Sequence, residues 1–358
     1  MGTRRGFLAG VLAAGSLPRF GWAAAGNPAF LSAAQLPNGD HVLSGLNRAG
    51  DILFDIPLPA RGHAGTRHPE RAEAVFFARR PGTFARVIDC VSGGLVKDLT
   101  SPIGSHFSGH GAFSADGETL FTTENDYEAA RGMIGVWDAR RDYRRVGAFA
   151  SGGVGPHEML LAADGGTLVV ANGGIETHPD SGRAKLNIPF MRPNLSYLTQ
   201  TGEILNQVEP VRKLHRNSIR HIAALPDGTI AIGCQWEGTS GAPPVVALHQ
   251  QGAPLQFVES VAPLSAEFEG YVGSVAASTR GRRVAASSPR GGLLVCFDAE
   301  TGAQAVLRSA DVCGLAGVDD GFVVSSGTGA VLEVTGDALR PLAHHRRRWD
   351  NHLVPVTA

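Results

Sequence analysis

The chain has 358 residues, of which 18% are charged and 43% are hydrophobic, and its net charge is −1. This composition is that of a globular domain, and it excludes a disordered chain and an integral membrane protein. The balanced charge gives no indication of nucleic-acid binding. Glycine is unusually frequent, at 47 residues, and without a collagen-like period it predicts many tight turns.

The N-terminus carries the pattern of an exported protein. Thr3-Arg4-Arg5-Gly6-Phe7-Leu8 matches the twin-arginine signal, an apolar run to Leu17 follows, and Ala23-Ala24-Ala25 is a small-residue cleavage site. We therefore predict a signal peptide over residues 1–25, cleavage near Ala25 and a periplasmic location. The apolar run is too short to span a bilayer comfortably, so we expect no stable membrane anchor. Cleavage would change the net charge from −1 to about −4.

The cysteines do not form a recognisable framework. Cys90, Cys234, Cys296 and Cys313 are widely spaced, and each lies in an apolar, strand-like run. An oxidising compartment permits disulfides, but the apolar surroundings favour buried free thiols.

From residue 26 onwards the sequence reads as short strands separated by turns that pair Asp or Asn with Gly, as in Asn38-Gly39, Asp116-Gly117 and Asp227-Gly228. Aligning the turns reveals a repeat with clear copies beginning at His110, His157 and His221. Weaker copies begin at His63, Val272 and Cys313. Their separation of roughly 40 to 65 residues is typical of a four-stranded propeller blade.

The chain ends complete the repeat. Phe30–Gln35, His41–Leu46 and Ile52–Leu58 match the outer three strands of a blade, and the missing innermost strand is found in residues 349–356. Such closure removes free sheet edges. The sequence therefore predicts an all-β fold, a seven-bladed β-propeller of four-stranded blades over residues 26–358, whose first blade is closed by the C-terminal strand. We expect a monomer.

Several segments resemble the bacterial family called Domain of Unknown Function 1513, within the seven-bladed YVTN/WD40-like propellers. The resemblance implies the propeller fold but no reaction. Genes of this family often lie near genes of imelysin-like, iron-related periplasmic proteins, which implies a metal-related role and an iron-related periplasmic partner by association only. The segments are Thr123-Glu-Asn-Asp126, Gly155-Pro-His-Glu158, Ala171-Asn-Gly-Gly-Ile-Glu-Thr-His178, Arg183-Ala-Lys-Leu-Asn187, Ser218-Ile-Arg-His221, Gly270-Tyr-Val-Gly-Ser-Val275 and Trp349-Asp-Asn-His352.

A histidine recurs at the equivalent position of the innermost strand in most of the aligned repeats. The aligned repeats predict that five of the seven blades place an imidazole at one level of the channel mouth, near the start of the inner strand. Imidazole nitrogen is a common ligand of zinc, copper and iron, so one hypothesis is a transition-metal site. A second is that these rings only make structural hydrogen bonds or contact water, and a third is that they line a site for an organic ligand. The five residues are His63, His110, His157, His221 and His352.

Polar residues are predicted to form a rim on the same face, because the second strand of a blade returns to where the first began. The longest loop, residues 173–194, is expected to project there and suits a lid or a docking surface. The candidate rim, substrate or partner residues are Glu124, Asn125, Asp126, Glu158, Glu176, His178, Arg183, Lys185, Gln235, Glu237, Tyr271 and Asp350, with Arg290 beside them.

Three function classes remain open from the sequence. The first is a periplasmic propeller that binds or handles iron, copper or zinc. The second is a protein-interaction scaffold without a bound ion. The third is a metal-dependent, lactonase-like hydrolase that would use Glu124, Asn125, Asp126 and Asn172. No nucleophile elbow, phosphate loop or dinucleotide fingerprint is recognisable, so neither a catalytic role nor a substrate is assigned.

Overall fold

The structure is a computed structural model that describes residues 20–79, 83–182 and 184–356. Most of the predicted signal peptide, including Arg4 and Arg5, and the predicted rim residue Arg183 lie outside the described residues. The described chain forms seven antiparallel sheets, which confirms the predicted seven-bladed propeller.

Six blades contain four strands that follow one another along the chain. The second, third and fourth blades consist of β4–β15: Gly62–Arg67, Glu73–Ala78, Ala85–Asp89, Leu95–Leu99, Ser105–Phe113, Thr119–Asp126, Arg131–Asp138, Arg144–Ala150, Pro156–Leu161, Thr167–Asn172, Asn194–Thr199 and Ile204–Val208. The fifth, sixth and seventh blades consist of β16–β27: Asn217–Ala224, Ile230–Trp236, Val246–His249, Gln256–Phe257, Ser274–Ala277, Arg283–Ser288, Leu293–Asp298, Gln304–Arg308, Val312–Val318, Gly321–Ser326, Ala330–Thr335 and Ala338–His344.

The first blade joins both ends of the chain. Its consecutive strands are β1 (Phe30–Gln35), β2 (His41–Leu46) and β3 (Ile52–Leu58). Two short C-terminal strands, β28 (Arg348–Trp349) and β29 (Val354–Pro355), pair antiparallel with β1 on its inner side. The predicted closure by residues 349–356 is confirmed, although the closing strand is interrupted between β28 and β29.

Burial explains why the middle strands read as almost continuous apolar runs. Every residue of β5 and of β13 is buried, because neighbouring blades cover both faces of each sheet. The outermost strands β11 and β15 instead contain only exposed and half-buried residues. Removal of the apolar side chains between blades from water is therefore the main force that holds the ring together.

Helical structure in the described residues is limited to short 3-10 turns. None of the described helices is long and apolar enough to cross a membrane. The turns are Trp22–Ala25, Pro179–Ser181, Ile188–Phe190, Arg212–Leu214 and Ala262–Leu264.

Two local predictions are confirmed. Gly39, Gly117 and Gly228 have φ values of +93°, +70° and +83°, which glycine adopts at little steric cost. The four cysteines are buried and free, and burial raises the pKa of each thiol to about 12.

The segment before residue 26 lies against the second blade. Trp22 donates its indole N–H to the carbonyl of His68 at 3.0 Å, the N–H of Ala72 donates to the carbonyl of Phe20 at 2.8 Å, and Ala25 is buried. Cleavage near Ala25 stays a prediction, and it would remove these contacts.

Candidate functional site

The inner strands contain β-bulges next to the recurring histidines. Pairing shifts register between Gly62 and Gly65, and equivalent shifts occur in β8, β12, β16 and β24. A bulge adds residues that the ladder does not pair and redirects their side chains. The imidazoles therefore lie at bulges. His63 and His157 are the second residues of β4 and β12, as predicted, whereas His110 and His221 lie well inside β8 and β16. His352 occupies the corresponding gap between β28 and β29.

The five imidazoles meet in the channel. The His352 ring lies 4.8 Å from the His63 and His110 rings and 5.1 Å from the His221 ring, measured between centroids. The His157 ring lies 4.8 Å from that of His110 and 4.9 Å from that of His221. The aligned repeats thus identified side chains that the structure brings into one cluster.

A glycine makes room for this cluster. Gly109 has a φ of +108°, and a Cβ atom there would lie 2.8 Å from Cδ2 of His63. Both the backbone conformation and the close approach therefore require glycine at this position.

Several ring nitrogens of the cluster have no hydrogen-bond partner among the described residues. They are buried atoms: Nδ1 of His63, Nε2 of His110, Nδ1 of His157 and Nε2 of His352. A buried polar atom without a partner is costly, and neutral imidazole nitrogen is a metal ligand. The unpaired nitrogens are thus compatible with an ion or with bound water.

Four rings of the cluster favour the neutral form. Burial holds the pKa of His110, His157 and His221 well below the usual 6.5; the next largest cause is a neighbouring imidazole for His110 and His221, and the guanidinium of Arg220 for His157. Burial and the His63 and His221 rings have the same effect on the pKa of His352. Neutral imidazoles keep a lone pair for coordination near pH 7.

Two sets of three residues place their ligand atoms within 4.8 Å of one another: His63, His110 and His352, and also Glu158, His221 and His352. Two nitrogens bound to one tetrahedral zinc ion are about 3.4 Å apart. Either set therefore has suitable donors, and it would have to contract by about an ångström to hold an ion.

Two carboxylates border the imidazoles. Oε2 of Glu158 is 3.1 Å from Nδ1 of His221, and burial raises the pKa of Glu158. Oδ1 of Asp350 is 3.8 Å from Nδ1 of His63. Burial raises the pKa of Asp350, but His63 and the guanidinium groups of Arg61 and Arg79 lower it more, so the carboxylate stays ionised.

Above the imidazoles lies a cavity of about 500 Å³, within the usual range for small-molecule sites. His157 and His221 line it together with Gly173, Thr177 and Lys185 of the long loop. The prediction that residues 173–194 project on the face of His157 is therefore confirmed.

The cavity wall is rich in basic side chains, of which Lys185 and Arg290 were candidates from the sequence. Arg61, Arg79 and Arg220 were missed. The sequence signal was weak: Arg220 directly precedes His221, and Arg61 lies two residues before His63.

Some predicted rim residues do lie at this cavity. Asn125, Gln235 and Tyr271 line it. Asn125 donates its side-chain N–H to the carbonyl of Thr177 at 3.3 Å, which ties β9 to the long loop. Glu237 lies behind the wall, where it pairs with Lys185.

The prediction of a rim position is wrong for Glu124. Its side chain is 1% exposed inside the third blade, and it accepts two hydrogen bonds from Arg145 at 2.6 and 2.9 Å. The Oγ1 of Thr122 donates to the same carboxylate and accepts the indole N–H of Trp137. β9 continues to Asp126, so Glu124 belongs to the sheet rather than to a loop.

Other candidates are also away from the described cavity wall. Asp126 pairs with Arg131 at 3.2 Å, and His178 contacts the ring of Tyr127. Glu176 is half-buried in the loop but does not line the cavity. These residues are held by local turn and loop contacts, which the repeat pattern does not reveal.

Comparisons with known proteins give a family but no activity. A family model described as "Protein of unknown function (DUF1513)" matches residues 56–356. No curated protein matches the chain. Among solved structures, Kuenenia stuttgartiensis Hydrazine Synthase is similar with a TM-score of 0.53 and 15% identity, over 76% of this chain and 77% of that chain. At this identity the likeness concerns the fold alone.

Proposed function

The chain belongs to the DUF1513 family of proteins of unknown function, and we propose that it is an exported propeller that binds a transition-metal ion at its channel mouth. Iron, copper and zinc are the ions in question, since all three accept imidazole nitrogen. The periplasmic location rests on the Arg4-Arg5 signal and is part of the proposal.

One observation carries the metal assignment. Five imidazoles from five blades form one cluster, and four of them have a buried ring nitrogen without a hydrogen-bond partner among the described residues. If these rings were purely structural, each would be expected to bond to a backbone carbonyl, as His249 does with Ala253 at 2.8 Å. The unpaired nitrogens therefore favour an ion.

His63, His110 and His352 are the proposed principal ligands. They come from neighbouring blades, and the ligand atom that each offers is within 4.8 Å of the others. Glu158 and His221 form a second set of this kind with His352 and would complete the surroundings of the ion. A bound ion would neutralise the cost of burying these lone pairs.

The lactonase-like alternative lacks a comparable observation. Glu124 is bound by Arg145, Asp126 is paired with Arg131, and Asn172 accepts the hydroxyl of Ser151 inside the fourth blade. These side chains do not converge on one point from which they could hold an open metal position. The scaffold alternative is distinguished by the absence of bound metal.

The test is metal analysis of protein purified from the periplasm, followed by calorimetric titration of chelator-treated protein with zinc, copper and ferrous iron. We expect about one ion per chain. His63→Ala combined with His110→Ala should remove tight binding, whereas His215→Ala, which changes a half-buried histidine outside the cluster, should not. Unchanged metal content in the double variant, or a folded wild-type protein that binds none of the ions, would contradict the proposal.

Export is tested separately. Replacing Arg4 and Arg5 by Lys should retain the chain in the cytoplasm, because the twin-arginine route reads this pair. Cell fractionation measures the outcome, and unchanged periplasmic recovery would contradict the assignment of the route.

A further inference from the structure

The cavity above the imidazoles has an excess of positive charge. Five basic side chains line it: Arg61, Arg79, Lys185, Arg220 and Arg290. The carboxylates in contact with these groups are Asp350 and Glu237, and neither lines the cavity. With Glu158 included there are still fewer acids than bases.

Four of the five bases form two pairs, each around one carboxylate. On the side of the second blade, Arg61 and Arg79 contact Asp350 at 2.6 and 3.4 Å. On the side of the fourth and fifth blades, Lys185 and Arg220 approach Glu237. Each pair of cations therefore shares one carboxylate, so each side retains positive charge.

Arg220 is the most confined of these groups. Its side chain is 14% exposed, its nearest carboxylate oxygen is 4.0 Å away on Glu237, and its buried Nε has no hydrogen-bond partner among the described residues. A buried guanidinium that lacks full pairing is costly, and its fork of N–H groups matches a carboxylate. The unpaired Nε–H of Arg220 indicates that an anion binds beside this side chain.

Arg290 supplies an exposed cation at the same wall. It is exposed, its guanidinium lies 4.6 Å from the ring centroid of Tyr271, and the described residues give it no ion pair. The hydroxyl of Tyr271 accepts a hydrogen bond from Asn351 at 2.9 Å. This end of the cavity thus presents a free cation beside oriented polar groups.

We propose that the cavity is a recognition site for a small organic polycarboxylate. Two separated cationic groups match an anion with carboxylates at both ends, and a cavity of about 500 Å³ accepts more than a single inorganic ion. This site goes beyond the proposed metal centre, because the anion needs no ion for its recognition. A bound carboxylate would lie directly above the imidazoles.

The test uses metal-free protein and propane-1,2,3-tricarboxylate, which separates anion binding from metal binding. Calorimetry should show binding that weakens with added salt. Arg290→Gln alone should weaken it about tenfold, and Arg220→Gln with Arg290→Gln about a hundredfold. Arg340→Gln, which changes an exposed arginine paired with Glu333 on an outer strand, is the matched control and should have no effect.

Acetate and inorganic phosphate distinguish the class of anion. Both should bind at least about tenfold more weakly than the tricarboxylate, because neither spans the two cationic groups. Equal affinity for acetate or phosphate, no detectable tricarboxylate binding, or equal affinity in Arg290→Gln and wild type would overturn the proposal. Arg290 is exposed, so its single variant remains informative even if the double variant fails to fold. A wild-type protein that binds the tricarboxylate but no metal ion would contradict only the proposed metal site.

Discussion

Oε2 of Glu158 in the fourth blade lies 3.1 Å from Nδ1 of His221 in the fifth, and it also accepts the backbone N–H of Ile222 at 3.1 Å. Its other oxygen is 3.9 Å from Nδ1 of His110 in the third blade. A carboxylate that accepts from Nδ1 places the ring proton there and leaves Nε2 of His221 as a lone pair. Glu158 thereby sets the orientation of the His221 imidazole and lies beside that of His110.

Glu158→Gln should weaken metal binding by about ten- to a hundredfold, since partners that orient metal-binding histidines have effects of this size. The amide keeps the shape but lacks the charge that fixes the His221 tautomer. Zinc affinity measured by competition with a chelator checks the expectation. Glu128→Gln, at a side chain that is 71% exposed, is the control. If Glu158→Gln and Glu128→Gln bind zinc with equal affinity, Glu158 does not contribute to metal binding and its role is structural only.

Metal-free protein should lose stability as the pH falls below about 6.5. The pKa values of His110, His157, His221 and His352 are lowered, first by burial, so between their folded pKa and 6.5 only the unfolded chain binds these protons. Each histidine lowers the free energy of unfolding by up to about 1.4 kcal/mol per pH unit in that window. Glu158, whose pKa is raised by burial, acts in the opposite direction above 4.5.

Urea unfolding at about pH 7.5, 6.5 and 5.5 measures this slope. Changing His157 and His221 to Asn removes two of the four histidines that bind a proton only in the unfolded chain. The dependence of the free energy of unfolding on pH should therefore be roughly halved. A free energy of unfolding that does not change with pH across this range would show that the rings already share protons in the folded state.

The blade interior should be far more sensitive than the blade surface to the loss of an arginine. Arg145→Ala leaves the carboxylate of Glu124, which is 1% exposed, without the two hydrogen bonds from the guanidinium and should destabilise the protein by about 3–5 kcal/mol. Arg131→Ala breaks the more exposed ion pair with Asp126, which lies on the same strand as Glu124. This change should lower the free energy of unfolding by about 0–1 kcal/mol. Chemical denaturation compares the two variants, and a similar cost for both would contradict this assignment. Metal content should be unchanged in each.

The fold was predictable because its signals are local and recur. Asp-Gly and Asn-Gly turns mark each hairpin, and aligning the repeats from His110, His157 and His221 gives the blade period directly. The same alignment identified the five imidazoles, because residues at equivalent repeat positions occupy equivalent places around a propeller axis.

The basic wall was not predictable in this way. Adjacent residues of a regular strand face opposite sides of the sheet, so Arg220 would be expected to point away from the channel when His221 points into it. The register shift between Ile219 and His221 allows both to reach the site. Arg61 directly precedes β4 and Arg79 directly follows β5, so strand alternation does not predict the direction of either side chain.

The closing segment should govern global stability. Trp349, Leu353 and Val356 are buried against the first, second and seventh blades, and Oγ of Ser32 donates to the carbonyl of His352 at 2.8 Å. Burial of each large apolar side chain contributes about 1.5–3 kcal/mol. Burial of these three side chains thus contributes a large share of the free energy of unfolding, which is roughly 5–15 kcal/mol for a typical domain.

Deleting residues 349–358 should therefore leave the chain unfolded or aggregated, because β1 would present an unpaired edge to the channel. Trp349→Ala is the graded version and should cost about 3–5 kcal/mol, whereas Arg346→Ala, at an exposed neighbouring position, should stay within about 0.5 kcal/mol. Thermal and urea unfolding measure all three. Since His352 lies in this segment, Trp349→Ala should also weaken metal binding. A truncated chain that unfolds at the wild-type temperature would show that closure by the C-terminal strand is not required.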